Sequence, residues 1–543
     1  MNGHASSGHP LAQEESASLL DEKRLSDIES DVRRAAIETH FSTRRRIWAS
    51  AAQAYGGKLL SVPWHSLALR AVIFLLPSFV QSKFSRDAGL RGSSSIHRSG
   101  PTAYLDGIRG LAALFVFFCH LSYTCFVIAE GWGYGEDNYH VLRLPIVRLF
   151  YQGPPMVCVF FVVSGYALSL RPLKFARSRS SDAFATTMSS FVFRRAIRLF
   201  LPTAASTLLV VCLLRAGLYE WTRDFADDPA YMRNVHELHY HRLPTAGAQL
   251  ADWGRALFGF VHVWGWEKFG GSTGLDLHLW TIPVEFRASM VLFLTLVGTA
   301  RLRTGARFLA LGLVMWFTYR SDRWDMLLFY CGMVLAEWDL IRGAHNTPSP
   351  SAPPASSSSS SSGLSLLGHG HGPGPPALPR GRRLKAALWI GLSVVALYLM
   401  SQPDVGHDDT PGWVFLSLLI PAWFSDRYRY WQCAGSVLFV LSVGRSPAWQ
   451  RLFNARVVQY LGRISYALYL MHGPVMHTVG FATERWAWGV TGVEGQAYAR
   501  GFVLASFVNV PVVIWAADVF WRAVDAPIVR FAKWFEAKCS VSD

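Results

Sequence analysis

Charged residues are scarce in this chain of 543 residues. Lys, Arg, Asp and Glu together make up 16% of the sequence, whereas soluble globular proteins carry about 25%. Hydrophobic residues reach 51%, aromatic residues reach 14%, and the mean hydropathy is +0.22. So few charges cannot cover a soluble surface of this size. The composition therefore excludes an ordinary cytosolic enzyme and predicts a chain that mostly faces lipid.

Cysteine is also rare, and its spacing shows no metal-binding pattern. The seven cysteines are scattered and no C-x-x-C pair occurs, which argues against a disulfide framework or a cysteine zinc site. One segment, HELHYH at residues 236–241, is similar to a zinc motif. However, Tyr240 stands where H-E-x-x-H requires its second histidine. We assign this segment to an outer loop and predict no metal.

Acidic residues are fewer than basic ones, and the formal net charge is +15. A basic balance often indicates nucleic acid. Here most Lys and Arg fall in short clusters between apolar runs, and no basic helix with aromatic stacking residues is evident. We therefore expect a lipid bilayer as partner and no nucleic acid. The first 65 residues also lack the early apolar stretch of a cleavable secretory signal.

Apolar windows long enough to cross a bilayer recur from residue 104 onward. An exposed strand edge cannot satisfy its backbone in lipid, so each window is expected to be a helix. The sequence predicts an all-α, polytopic membrane protein with about ten transmembrane helices, at residues 104–128, 152–170, 196–217, 277–299, 304–320, 324–341, 384–401, 433–447, 457–480 and 499–522.

Loop charges predict the orientation of this bundle. Loops after even-numbered helices are rich in arginine, as at Arg177 and Arg179, whereas the alternate loops carry acids such as Asp227 and Asp228. Because cytosolic loops are enriched in Lys and Arg, both termini are expected in the cytosol. The protein is therefore expected to be a multi-pass integral protein of an endomembrane or the plasma membrane.

The remaining segments give a domain plan. We expect a mostly disordered cytosolic arm at 1–65, an interfacial helix at 66–82, a membrane domain at 100–530 and a short C-terminal tail at 531–543. A full crossing by 66–82 is the alternative. Within the membrane domain, residues 346–380 are rich in Ser, Pro and Gly, which predicts a disordered cytosolic linker.

Two ionisable residues of the first predicted span point to chemistry. Arg109 and His120 are eleven residues apart, which places them on one face of a helix with about 16 Å of axial rise between them. Ionisable groups inside a membrane are costly and therefore usually functional. A guanidinium near the cytosolic mouth suits a phosphate-bearing donor, and an imidazole near mid-membrane suits proton transfer. Singly, each residue is equally well explained as an interface anchor or a helix–helix hydrogen bond.

The stretch DGIRGLAALFVFFCH at 106–120 resembles the signature of the acyltransferase 3 family of integral membrane O-acyltransferases. Further stretches resemble that family in the same order: FFVVSGYALSLR at 160–171, RRAIRLFLP at 194–202, LWTIPVEF at 279–286 and YLGRISYALYLMHGPV at 460–475. The resemblance covers about residues 100–530. It implies ten core helices and transfer of an acyl group, usually from acyl-CoA, to a hydroxyl of a sugar, glycan or small metabolite.

The chain departs from the bacterial pattern of that family at two motifs. Only the first of two adjacent acids is retained, in Glu285-Phe286-Arg287, and the usual terminal Glu-x-Pro reads Asp525-Ala526-Pro527. The departures put in doubt whether a further carrier protein or domain takes part.

The motifs supply a set of candidate site residues. Catalytic roles are expected for His120, Arg109 and Glu285, and donor phosphates are expected at Arg109, Arg195 and Arg198. Acceptor binding is expected at Ser164, His472 and Tyr466. Each has a structural alternative: positive-inside anchoring for the arginines, an ion pair with Arg287 for Glu285, small-residue packing for the serine and tyrosine, and satisfaction of the backbone freed by Pro474 for His472.

The leading hypothesis is an enzyme that moves an acyl group, with acetyl-CoA the expected donor, to a hydroxyl of a carbohydrate or small metabolite. His120 is its general base and no metal is required. The alternative is a multi-pass transporter or flippase that uses Arg109 and His120 for coupling, and a third possibility is an interaction scaffold. The sequence leaves open the acceptor, the acyl chain length, direct or two-step transfer, and the oligomeric state.

Overall fold

The computed structural model describes residues 64–81, 100–136, 138–264, 271–344 and 380–541. The predicted arm at 1–65 and linker at 346–380 thus lie almost wholly outside the described residues. Within those residues the chain is helical, with two isolated β-bridges and no strand. The all-α membrane architecture expected from the sequence is confirmed.

Helix α1, Trp64–Leu75, belongs to a unit of its own that ends at Leu76. Its 12 residues correspond to about 18 Å, well below the roughly 30 Å of a hydrocarbon core. Pro77 follows, and a residue before proline is disfavoured in helical conformation, which ends the helix. The interfacial helix at 66–82 stays a prediction.

The second unit holds the rest of the described residues. Its α-helices, in chain order, are α2 Ala103–Tyr123, α3 Gly153–Arg177, α4 Ser181–Arg215, α5 Leu218–Ala226, α6 Ala246–Phe260, α7 Thr281–Thr299, α8 Thr304–Arg320, α9 Trp324–Ile341, α10 Arg380–Met400, α11 Val414–Leu418, α12 Tyr430–Arg445, α13 Pro447–Phe453, α14 Arg456–Val475, α15 Phe481–Thr491, α16 Gln496–Phe520 and α17 Ala526–Cys539. A 3-10 turn, Leu277–Trp280, leads into α7, and one π-helical turn, Met476–Gly480, joins α14 to α15.

Every predicted span coincides with a helix, but not every helix is long and apolar enough to cross a bilayer. Six of the described helices or runs of helices meet that requirement: Ala103–Tyr123, Gly153–Arg177, Ser181–Arg215, Leu277–Thr299, Arg383–Met400 and Gln496–Cys539. The helices α8, α9, α12 and α14 are too short or too polar by themselves. The count of ten and the cytosolic termini therefore remain predictions.

Two cores hold the bundle together. One is built around α3 and the other around α14, with α2 contributing to both. Helix α2 packs along α14 and α3, and α3 packs along α9. The outward faces are apolar: Leu294, Leu309 and Phe507 are 72%, 67% and 75% exposed. Exposed aliphatic and aromatic side chains of this kind suit lipid contact.

Glycines set the closest helix contacts. A Cβ on Gly165 of α3 would lie 2.1 Å from the Phe329 carbonyl oxygen of α9, and one on Gly110 of α2 would lie 2.3 Å from the Gly462 nitrogen of α14. Helices in lipid gain little from hydrophobic burial against each other, so close backbone approach at small residues supplies much of their packing energy. These glycines therefore fix the spacing of α2, α3, α9 and α14.

Substitution of Gly165 with alanine is expected to destabilise the folded bundle, because the new methyl group meets backbone that cannot rotate away. Overpacking of this kind costs about 1–3 kcal/mol or more. The matched control is Gly312→Ala in α8, where a Cβ has no heavy atom within 4 Å. Thermal unfolding in detergent, followed by size-exclusion chromatography, should show a lower midpoint for Gly165→Ala only. Equal midpoints for both variants would contradict the role of this contact.

Candidate functional site

A small cavity of about 50 Å³ lies between α2, α3, α7 and α14. Four of the residues singled out in the sequence line it: Arg109, Ser164, Glu285 and Tyr466. The remaining lining is partly apolar, from Val116, Val157, Phe160, Phe161 and Ile282, and partly hydroxylic, from Thr281, Ser465 and Tyr469. Three separate sequence motifs therefore meet with α2 around one space.

Glu285 is paired across the cavity wall. Its Oε1 accepts hydrogen bonds from the Arg195 guanidinium at 2.8 Å and from the Ser164 hydroxyl at 3.1 Å. Arg195 also donates to Ser289 Oγ at 3.0 Å. The ion pair with Arg287 that the sequence suggested as an alternative is not formed. Residues two apart on a helix point about 200° apart, and Arg287 instead faces Asp325 at 3.7 Å.

Arginines gather at one end of the cavity. Arg198 is exposed and interacts electrostatically with Arg195, Arg109 and Asp525. The Arg109 side chain is 38% exposed and lies 3.6 Å from Asp106. Asp525 belongs to the motif at which the chain departs from the Glu-x-Pro pattern. Arg109, which lines the cavity, thus lies near two further guanidinium groups, and such a cluster suits recognition of phosphates.

The other predicted acceptor ligands are engaged in hydrogen bonds at the cavity wall. The Tyr466 hydroxyl donates to the Leu199 carbonyl at 2.6 Å, and Ser164 donates to Glu285 as described. Both side chains line the cavity and also tie helices together. The packing role that the sequence offered as an alternative is thus present, and acceptor binding by these two residues stays a prediction.

His120 lies in the last turn of α2, not near the middle of the predicted span at 104–128. The helix stops at Tyr123 because Asn234, from the segment after α5, takes its free carbonyls: the Asn234 side chain donates to Tyr123 O at 2.7 Å and to Phe126 O at 3.0 Å. Terminal carbonyls of a helix require partners of this kind. His120 consequently faces the inter-helix segment that contains residues 236–241.

Three imidazole rings come together at this point. The His120 ring centroid lies 4.1 Å from that of His278 and 5.2 Å from that of His472, and His278 and His472 are 4.7 Å apart. His278 precedes α7 and His472 lies on α14. Among the described residues, His120 Nδ1 and His472 Nε2 are buried without a hydrogen-bond partner. Two ring nitrogens are thus available for a ligand.

The structural alternative for His472 does not hold. Pro474 removes the amide that would bond the Leu470 carbonyl, and that carbonyl instead accepts from the Ser206 hydroxyl at 2.8 Å. The His472 Nδ1 faces the Leu468 carbonyl at 3.3 Å. A nitrogen that faces a carbonyl carries the proton, which leaves Nε2 of His472 with a lone pair.

Carboxylates hold the third histidine. Asp276 Oδ1 lies 2.9 Å from His278 Nδ1, and Glu237 Oε1 lies 2.7 Å from His278 Nε2. Both carboxylates and the ring are at most 4% exposed. Burial disfavours the Glu237 carboxylate, but the neighbouring imidazoles of His278 and His477 outweigh this effect and hold its pKa well below the ordinary value.

Glu237 comes from the segment that the sequence assigned to an outer loop without function. The segment does lie between α5 and α6, but Glu237 and His239 are buried against the histidines. His477 Nε2 lies 3.0 Å from Glu237 Oε2, and His239 Nδ1 lies 2.9 Å from His477 Nδ1. His477 sits in the π-helical turn after Pro474, an arrangement that is frequent at functional sites.

His239 completes this chain of polar groups. Its Nε2 donates to the Tyr219 carbonyl at 2.7 Å. Burial, reinforced by His477, lowers the pKa of His239 to about 4. A neutral His239 with its proton on Nε2 offers a lone pair at Nδ1, so His477 Nδ1 is the donor between the two rings.

A tyrosine separates the cavity from the histidines. Tyr469 lines the cavity, and its ring centroid lies 5.9 Å from that of His472. Its hydroxyl donates to the His278 carbonyl and accepts from Thr281 at 2.7 Å. Arg109 therefore lies in the cavity lining, whereas His120 lies outside it, among the histidines beyond Tyr469.

The three histidines are close enough to raise the question of a metal ion. One nitrogen from each of His120, His278 and His472 falls within 4.8 Å of the others. Both nitrogens of His278, however, already face carboxylate oxygens, which leaves no lone pair for a metal. Among the described residues this arrangement favours proton handling over metal binding.

Sequence reasoning overlooked Asp276, His278, Glu237 and His477. Asp276 and His278 immediately precede the LWTIPVEF stretch, and His477 follows Pro474 by three residues. The available signal was the density of histidine near these motifs. Histidine positions alone, however, do not reveal contacts between residues that are 41 and 238 positions apart.

The chain is similar to known acyltransferases. A family model described as an acyltransferase domain matches residues 102–518. The chain is 30% identical over 484 residues to "O-acetyltransferase PaAT-1" of Phomopsis amygdali, which covers 85% of this chain and 87% of the relative. It is 26% identical to "Acyltransferase R4" of a Phoma strain, covering 78% of this chain and 94% of the relative. It is also 26% identical to "Acyltransferase clz18" of Cochliobolus lunatus, covering 79% and 94%. No solved structure matches.

Proposed function

Because this chain belongs to the acyltransferase 3 family, we propose that it transfers an acyl group, acetyl in the first instance, from acyl-CoA to a hydroxyl group of an acceptor at His120. The family and its relatives make the protein an integral membrane O-acyltransferase. The donor, the acceptor class and the base are the proposed part. The observation that carries the proposal is the shared face of α2, with Arg109 and Val116 in the cavity and His120 among the histidines.

The cavity supports acyl-CoA as donor. Its mouth carries Arg109, Arg195 and Arg198, which suit the phosphates of coenzyme A. The axial rise of about 16 Å from Arg109 to His120 requires a long ligand with anionic groups at one end and a reactive group at the other. Acyl-CoA has this form, with phosphates at one end and a thioester at the other. The O-acetyltransferase among the relatives favours acetyl as the transferred group.

The orphan nitrogen of His120 supports its role as general base. A neutral imidazole nitrogen can accept the proton of an acceptor hydroxyl as its oxygen attacks the thioester carbon. Collapse of the tetrahedral intermediate then breaks the C–S bond, and the imidazolium of His120 returns the proton to the sulfur. Donor and acceptor thus exchange one acyl group for one proton, and no further reactant is needed.

The other candidates complete the proposed site. His472 Nε2, buried and without a partner among the described residues, binds the acceptor beside His120. Ser164 and Tyr466 shape the cavity along the path to the acceptor, and Glu285 orients Arg195 toward the donor. The carbohydrate or small-metabolite class of the acceptor is taken from the family resemblance. An endomembrane or the plasma membrane is the proposed location.

The proposal predicts thioester consumption by the purified full-length protein. Acetyl-CoA and octanoyl-CoA are supplied with three probes: N-acetylglucosamine, the lipophilic alcohol farnesol, or water alone. Thiol release and the mass of the acylated product are measured. We expect release above that of a no-protein control with at least one combination, together with the matching product. No release with any combination would overturn the proposed function, and probe transport without thiol release would favour the transporter alternative.

A further inference from the structure

A chain of buried polar groups adjoins His120 on the side opposite to the cavity. It runs from His239 through His477 and Glu237 to His278 and Asp276, with contacts of 2.9, 3.0, 2.7 and 2.9 Å between successive ionisable groups. The proposed function uses none of these side chains. Ionisable groups are rarely buried without a functional or pairing reason. Their effect on His120 can be worked out from the protons that the contacts require.

His278 has acceptors on both ring nitrogens. Asp276 Oδ1 and Glu237 Oε1 lie within 3 Å of Nδ1 and Nε2, and an ionised carboxylate can only accept. Both nitrogens must therefore carry protons, which makes His278 an imidazolium. Asp276 is further held in place by the His278 amide, which donates to the same Oδ1 at 3.0 Å.

The groups that face His120 come from four elements. Tyr123 lies on its own helix with ring centroids 5.2 Å apart, His472 faces it from α14, and His278 faces it from the turn before α7. Glu237, on the segment between α5 and α6, acts on it electrostatically from beyond His278. Among the described residues, carboxylates contact both ring nitrogens of His278 and neither ring nitrogen of His472, so His278 is the nearest ring that is held in its charged form.

We propose that His278 is a positioning residue for His120: an imidazolium fixed by Asp276 and Glu237, whose charge keeps the neighbouring His120 neutral and able to accept a proton. The inference rests on the proposed function, because a base is needed only if His120 receives the acceptor proton. The rings lie 4.1 Å apart at an angle of 66°. A like charge at this distance disfavours a second protonated ring.

Glu237 and Asp276 make this charge permanent. The two carboxylates hold both ring protons of His278 in place, and removal of one partner from a buried pair leaves the other uncompensated. Glu237 also faces His477 at 3.0 Å, so one carboxylate fixes two rings. The histidine-rich segment between α5 and α6 is thereby assigned a function that its spacing did not reveal.

The test is the pH profile of kcat/KM for thiol release from acetyl-CoA, with whichever of N-acetylglucosamine, farnesol or water the wild type uses fastest. In His278→Gln the like charge beside His120 is lost, so the acidic limb of the profile should move up by about one pH unit. His278→Lys, which keeps a positive charge at this position, should leave the limb close to its wild-type position.

The control is His262→Gln. His262 is exposed and contacts Phe258, so its loss should leave the profile unchanged. A His278→Gln variant that folds normally and yet leaves the acidic limb unmoved, whatever its rate, would mean that His278 has only a structural role. That result would overturn the inference. If that variant does not fold, His278→Asn takes its place, and an unmoved limb in that variant overturns the inference. If the wild-type protein releases no thiol, the proposed function is wrong, and the inference that rests on it falls with it.

Discussion

Replacement of His120 with alanine is expected to reduce acyl transfer by about 10²- to 10⁴-fold, the usual contribution of a positioned general base. The loss should fall on kcat, since His120 lies beyond Tyr469, away from the arginines of the cavity mouth. The protein should still fold, because Nδ1 of His120 makes no hydrogen bond with the described residues. Steady-state thiol release and product mass measure the effect.

Added imidazole makes this prediction specific. The alanine variant leaves a space of the size of the lost ring, so imidazole in the buffer should restore part of the rate by acting as the base. The control is His140→Ala, an exposed histidine in the segment before α3, which should keep the wild-type rate with or without imidazole. Wild-type turnover in His120→Ala would remove His120 from the reaction.

Replacement of Arg109 with alanine is expected to raise the KM for acyl-CoA by about 10- to 100-fold while kcat changes little. Hydrogen bonds to charged groups contribute about 1.5–3 kcal/mol, and every 1.4 kcal/mol changes affinity tenfold. The KM of Arg109→Lys should lie between those of the wild type and Arg109→Ala, because an ammonium keeps the charge but loses the bidentate geometry. Initial rates over a range of acetyl-CoA concentrations give both constants.

Salt dependence separates phosphate binding from packing in this experiment. Arg109 is 38% exposed, so added salt should weaken the attraction of wild-type protein for acyl-CoA and should affect the alanine variant less. Arg500→Ala is the matched control, since Arg500 is exposed and its side chain contacts Gln496 at 3.4 Å within α16. An unchanged KM in Arg109→Ala would place the donor phosphates elsewhere.

Hydropathy predicted the helical architecture well, because its physical cause is local. A helix that faces lipid must satisfy its backbone internally and expose apolar side chains, and both requirements can be read along the chain. Each predicted span therefore coincides with a helix. The ends of helices were harder to predict: α2 stops at Tyr123 because Asn234, more than a hundred residues later, bonds its carbonyls.

The candidate site also has a part that the sequence predicted and a part that it did not. Arg109 and His120 share a helix face, so the 3.6-residue period was sufficient to place them together. The partner of Glu285 was not predicted correctly. Arg287 was the nearer choice in sequence, but the helix turns its side chain away, and Arg195 of α4 forms the pair. Short sequence separation does not imply contact when two residues point to different sides of a helix.

The sequence by itself determined that this chain is a helical membrane protein with an arginine and a histidine on one face of α2, since apolar run length and helical period depend only on neighbouring residues. Tertiary structure alone decided what surrounds those two side chains. His278 and His472 meet His120 from separate elements, and Glu237 joins His278 to His477 behind them. The protonation of His278 follows from buried carboxylates that approach it only when the helices pack. The charge state of a group depends on its distance to other charges and on its exclusion from water, and neither is encoded in the order of residues along one segment.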